Sequence, residues 1–115
     1  MASLFVRIDL NSHGQIGPGK VELLEHISER GSIAAAGRAL GMSYRRAWEL
    51  VEELNSTFGR AVVQSRTGGK AGGGAELTPL GYLIVGRYRA LQKAVDRASQ
   101  AHLSAIQAEL KSKRA

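Results

Sequence analysis

Residues 31–55 read GSIAAAGRALGMSYRRAWELVEELN, and the whole fold hangs on this stretch. Ser32 and Ser43 each stand just before a helix-compatible run, and serine is a preferred N-cap because its hydroxyl accepts a hydrogen bond from an otherwise unpaired amide. Gly41 separates the two runs, at a turn that only glycine enters cheaply. Gly37 stands four residues earlier on the packing side of the first run. Ala36, Leu40, Met42, Ala47 and Leu50 supply buried positions across both helices. Along the second run Ala47, Leu50, Val51, Leu54 and Phe58 form one stripe, with Arg45, Arg46, Glu49, Glu52 and Glu53 largely outside it. Trp48 lies beside that stripe and is expected in the core, where such tryptophans most often sit. Two short helices joined in this way make a helix-turn-helix; the bland alternative is an ordinary αα-hairpin.

Outward from this pair, Lys20–Arg30 carries Val21, Leu23, Leu24 and Ile27 at helical spacing, with Pro18 ahead of it and Gly31 after it. LFVRIDL at 4–10 reads as a strand closed by the turn-rich NSHGQIGPG. Downstream, Gly59 ends the second helix of the pair. AVVQSR at 61–66 and AELT at 75–78 have strand character, and TGGKAGGG between them cannot hold a regular element, so the segment reads as a β-ribbon. After Pro79 a helical pattern runs to about residue 112, with Gly81 and Gly86 weakening its first turns. Strand, three helices, ribbon and long helix make an α+β chain: a winged helix-turn-helix with an added C-terminal helix. The predicted division is 1–78 for a DNA-binding domain and 79–115 for a dimerisation helix.

The chain's 115 residues make one domain, and 43% hydrophobic with 23% charged residues is a globular rather than a disordered balance. Sixteen Lys and Arg against ten acids give a net charge of +6, which points to a polyanionic partner, nucleic acid first. With no cysteine, disulfide frameworks, zinc ribbons and thiol catalysis are excluded. His13, His26 and His102 have no metal-ligand spacing, so no metal and no cofactor is expected. MASLFVRIDL acquires Arg7 and Asp9 before any long apolar run, so it reads as neither a signal peptide nor a membrane span, and a cytoplasmic location follows.

In a helix-turn-helix the first turn of the second helix reaches base edges, which here presents Ser43, Tyr44, Arg45 and Arg46. Arginine can pair with guanine through two hydrogen bonds, and serine or tyrosine can contact phosphates or bases. Residues 31–48 contain Arg38, Arg45 and Arg46 and no acid, and Ser32 at the start of the first helix joins them as a candidate contact. A second acid-free stretch, 54–75, coincides with the ribbon and supplies Arg60, Arg66, Thr67 and Lys70. Five glycines crowd into 68–74, where backbone can approach a phosphate or minor groove closely. GGKAGGG is not a nucleotide phosphate loop, since it lacks the Lys-Ser or Lys-Thr ending and precedes a strand. IGPGK at 16–20 departs from that pattern too and marks a helix start.

On the last helix Ile84, Tyr88, Leu91, Val95, Ala98, His102 and Ala105 form a heptad-like stripe too long for one small domain to cover, so homodimerisation is expected through it. Leu103, Ile106 and Leu110 add a second apolar line. Membrane adsorption through Arg87, Arg89, Lys93 and Arg97 lacks large anchoring residues on the opposite face and is set aside.

IGPGKVELLE, GSIAAAGRALGMSYRRAWELVEELN and VVQSRTGGKAGGGAELTPLG together resemble the N-terminal DNA-binding domain of the ModE-type molybdate-responsive transcription regulators, over residues 4 to about 92. SYRRAW at 43–48 and TGGKAGGGAELT at 67–78 are the most specific pieces. The resemblance implies a LysR-like winged helix-turn-helix, a dimer built through the long C-terminal helix, and an inverted-repeat operator in double-stranded DNA. Regulators of this type also carry C-terminal molybdate-binding domains, whereas this sequence ends at Ala115, so the molybdate site is not carried over. A stand-alone regulator, a truncated piece and the partner of a separate sensor protein all stay open. The functional expectation is a sequence-specific, dimeric transcriptional regulator. Its competitor is a small-oxyanion-binding or protein-interaction module. No nucleophile, base and orienting group occur in a recognisable arrangement, so an enzyme is not expected.

Overall fold

A computed structural model of the protein describes residues 2–66 and 74–111. Two short strands, β1 (Ile8–Asp9) and β2 (Gln15–Ile16), pair antiparallel around a 3-10 turn at Asn11–His13. Three helices follow, α1 (Pro18–Arg30), α2 (Ile33–Ala39) and α3 (Tyr44–Phe58). The ribbon consists of β3 (Val63–Arg66) and β4 (Gly74–Leu77), antiparallel in the register Val63 to Leu77 through Arg66 to Gly74, and the helix α4 (Pro79–Gln107) closes the chain. This is the α+β winged-helix architecture expected from the sequence.

Its first departure is at the N-terminus. The strand expected over 4–10 contracts to Ile8–Asp9, and its partner comes from the segment read as a turn. Ile16 explains the pairing, because it is buried in the core and carries β2 inward with it. Pro18, rather than Lys20, opens α1, a position where its missing amide costs nothing.

The helix-turn-helix follows its sequence signals closely. Ser32 Oγ accepts from Ala35 N and Ser43 Oγ from Arg46 N, both at 3.0 Å, so each serine caps the helix it precedes. Gly41 adopts φ 72°, and Met42 N donates back to Gly37 O at 2.9 Å. A β-carbon on Gly37 would stand 3.1 Å from Ala47 Cβ, so the glycine sets how closely α2 approaches α3.

Val21, Leu23, Leu24 and Ile27 of α1 meet Ala36 of α2, Ala47, Leu50, Val51 and Leu54 of α3, and Val62, Val63, Ala75 and Leu77 of the ribbon in one core. Ile84 and Tyr88 of α4 complete it, and the Tyr88 hydroxyl donates to Val6 O at 2.5 Å. A division of the chain at residue 79 would therefore cut through the core. Arg89 locks the same turn of α4 to α1: its Nε and Nη2 donate to the two Glu25 carboxylate oxygens at 2.9 and 2.6 Å. Hydrogen bonding from Arg89 holds the Glu25 carboxyl below its ordinary value against the opposing effect of burial. Thr78, buried at the start of α4, accepts from Gly81 N and donates to Ala61 O at 2.8 Å. Beyond Tyr88 no described residue of α4 is buried, and the helix extends the molecule to 61 Å in its longest dimension.

Candidate nucleic-acid interface

The first turn of α3 presents its side chains outward. Ser43, Tyr44, Arg45 and Arg46 are all exposed, with the Arg45 side chain at 88%. The cap bond leaves each serine hydroxyl hydrogen free to donate elsewhere. The arginines do not stand alone, however. Arg45 Nε lies 3.4 Å from one oxygen of Glu49 and Arg46 Nη1 3.5 Å from the other, with Glu53 3.8 Å from Arg46 and 3.3 Å from Lys20. The two arginines of α3 are thus paired from the next turns of their own helix, because residues three and four apart share a helix face. Exposed pairs of this kind are worth about 0.2–1 kcal/mol, so they hold the guanidinium groups without preventing exchange to a phosphate or base.

Arg38 is exposed on α2, and Ser32 sits at that helix's half-buried start. Arg66 ends β3 with its guanidinium folded over the α1–α2 junction: a β-carbon on Gly31 would stand 2.8 Å from Arg66 Nη2. Ala75 N donates to Gly31 O at 2.9 Å, which fixes β4 against the same junction. Ser32, Tyr44 and the ribbon base thereby line one cleft of about 360 Å³, together with Trp48, Gln64 and Ser65. Thr67 and Lys70 lie outside the described residues.

Trp48 corrects the sequence expectation. Its indole is 46% exposed, because it lies on the edge of α3 that turns from the core toward the ribbon. Asn55 was missed altogether. Its Oδ1 accepts from Val62 N at 2.8 Å and more weakly from Val63 N at 3.4 Å, which ties the end of α3 to the entry of β3. The signal was its place on the helix: 44, 48 and 55 fall on one side at 100° per residue.

The stripe expected to dimerise is divided. Ile84 and Tyr88 are buried in the domain's own core and are corrected to structural residues, because α1 and the N-terminal hairpin cover that side of the helix. Leu91, Ala98 and His102 are exposed and Val95 is half-buried. Beside Leu91, a largely apolar groove of about 560 Å³ runs between α4 and the hairpin, lined by Leu10, Phe58, Leu83 and Arg87 among others. Among the described residues no group of three His, Asp or Glu side chains converges as a metal site, and no helix is long and apolar enough to cross a membrane.

Residues 19–82, more than half of the chain, match the family of bacterial regulatory helix-turn-helix proteins, lysR family. The chain belongs to that family. The matched residues run from α1 through the ribbon to the first turn of α4, so the lysR-family match covers every element of the candidate interface. Among curated proteins, this lysR-family chain is 43% identical over 81 residues to the molybdenum-pterin-binding protein MopB of Rhodobacter capsulatus, an alignment covering 70% of the chain and 30% of MopB. It is 35% identical over 99 residues to the DNA-binding transcriptional dual regulator ModE of Escherichia coli K12, covering 83% of the chain and 38% of ModE. The chain thus spans less than two-fifths of the length of these relatives. A solved structure of a CbnR_DBD–DNA complex superposes with a TM-score of 0.58 at 19% identity, over 76% of the chain and 95% of that one, a likeness of fold.

Proposed function

We propose that the protein is a sequence-specific, double-stranded-DNA-binding transcriptional regulator of the ModE-like kind, acting as a homodimer on an inverted-repeat operator. One observation carries the proposal: in a lysR-family helix-turn-helix, the capped first turn of α3 holds Ser43, Tyr44, Arg45 and Arg46 exposed, with Tyr44 in the cleft beside the ribbon. The helix N-terminus adds its own positive potential there. Arg45 and Arg46 leave Glu49 to contact base edges, while Arg38, Arg66, Thr67 and Lys70 contact the flanking backbone. The name of the E. coli relative, a DNA-binding transcriptional dual regulator, supports the same role.

Dimerisation is supported by exposed Leu83 and Leu91 on α4 next to the apolar groove, and by the helix leaving its own domain beyond Tyr88. In this proposal residues 1–78, closed by the first turns of α4, form the reading head, and Leu91, Val95, Ala98 and His102 face the second copy. Closed two-fold pairing then places two heads on related half-sites.

Selection of duplexes from a random library, followed by titration of the preferred one at two salt concentrations, tests the proposal. The expected result is an inverted repeat whose log affinity falls with log salt by about 0.9 per phosphate contact. Arg45→Ala or Arg46→Ala should lose preference among sequences, and Lys70→Ala should weaken all duplexes alike. Equal losses on specific and random DNA for the α3 variants would remove base reading from their role. Absence of duplex binding would favour an oxyanion-binding or partner-binding module.

A further inference from the structure

Trp48 is the chain's single tryptophan, and packing does not account for its position. Ala47, Leu50, Val51 and Leu54 of the same helix are buried, yet the indole leaves nearly half its surface in water, where a polar side chain would be free of that cost. Tyr44, 58% exposed, stands four residues earlier, so the two rings are neighbours on one side of α3. Both line the cleft beneath the ribbon, and Trp48 also borders a second cleft next to His13 and Lys20, which places the indole on the ridge between them.

We propose that Trp48, flanked by Tyr44, is a specificity-determining residue that packs against the 5-methyl group of thymine in the major groove. This rests on the DNA-reading role of α3 proposed above. An indole has one donor and no acceptor, so it cannot match the paired pattern of a guanine or adenine edge. What it offers is apolar surface, and the thymine methyl is the apolar group that major-groove edges display. A ring one turn into the reading helix continues the row begun by Tyr44.

Replacing thymine by uracil removes the methyl group and nothing else, so uracil scanning of the selected operator reads this contact directly. The wild-type protein should bind about fourfold more weakly when uracil stands at one or more half-site positions, the value of one methyl group taken out of water. Trp48→Ala should bind thymine and uracil duplexes equally at those positions, and Trp48→Phe should keep part of the difference. Because the indole is half exposed, the alanine variant should fold, and its melting curve and binding to random duplex check this. The proposal is overturned if Trp48→Ala keeps the wild-type preference for thymine, if the wild type ignores uracil everywhere, or if the variant weakens all duplexes by the same factor. Failure of the wild type to select any duplex would refute DNA reading itself, before any Trp48 variant is made.

Discussion

Substituting Arg89 by Met, which keeps the aliphatic length and removes the guanidinium, should loosen α4 from α1 in a way that depends on pH. Two guanidinium nitrogens bind the two oxygens of Glu25, and Nη1 donates to Gln92 Oε1 at 2.7 Å. A two-point arginine–carboxylate contact lies at the strong end of surface pairs. Both side chains are about one-third exposed, at 34% and 37%, so solvent screening brings the expected contribution to about 1 kcal/mol. In the folded protein the Glu25 carboxyl is held below its ordinary value of 4.5. Its contribution is therefore complete above the unfolded value and is lost as pH falls through the lower folded value. Urea unfolding of wild type and Arg89→Met at pH 7, 5, 4 and 3 should show a gap of about 1 kcal/mol at pH 7 that narrows as pH falls below the ordinary carboxyl value. In a thermal melt at pH 7 the same gap is a shift of about 4–8 °C. A gap that persists unchanged at pH 3, or widens there, would show that the guanidinium stabilises through its bond to Gln92 and its place over the Tyr88 ring, and not through the carboxylate.

Leu54→Ala empties a fully buried position where α3 meets the core and should cost about 3 kcal/mol, read as a lower urea midpoint with unchanged slope. Thr78→Val keeps the side-chain shape but deprives Gly81 N and Ala61 O of their partner, so a loss of about 1–2 kcal/mol is expected in the same assay. Gly86→Ala should act in the opposite direction. An added β-carbon there meets nothing within 4 Å, so the melting temperature should rise with a gain of up to about 1 kcal/mol from helix propensity.

The helix-turn-helix was legible because its signals are local. Ser32, Gly41 and Ser43 act on their nearest neighbours, and the apolar stripe of α3 repeats every turn. The N-terminal hairpin was not legible, since two-residue strands carry too little alternation to show a pattern, and only the burial of Ile16 reveals the pairing. Trp48 was misread because its side of α3 is decided by what packs nearby: it lies beside the stripe in sequence but on the edge facing the ribbon in space. The α4 stripe has one period throughout, whereas its environment changes at Tyr88, where the domain ends and the helix continues. Arg45 and Arg46 were recognisable as candidate contacts, but their sharing of Glu49 depends on rotamers that spacing allows and does not dictate.

The Asn55 carboxamide has a mechanical consequence. It accepts from the amides of both Val62 and Val63, while Gly31 O holds Ala75 at the other strand, so the ribbon is fastened on one strand to the last turn of α3 and on the other to the α1–α2 junction. Tied in this way, α3 and the base of the ribbon form a caliper. In the DNA-bound state proposed above, a duplex held by both would bring its own groove width to that gape, and the work of doing so varies with base sequence even where no side chain touches a base. Asn55, whose carboxamide oxygen is engaged by the amides of Val62 and Val63, would then shape how the molecule senses the stiffness of what it holds.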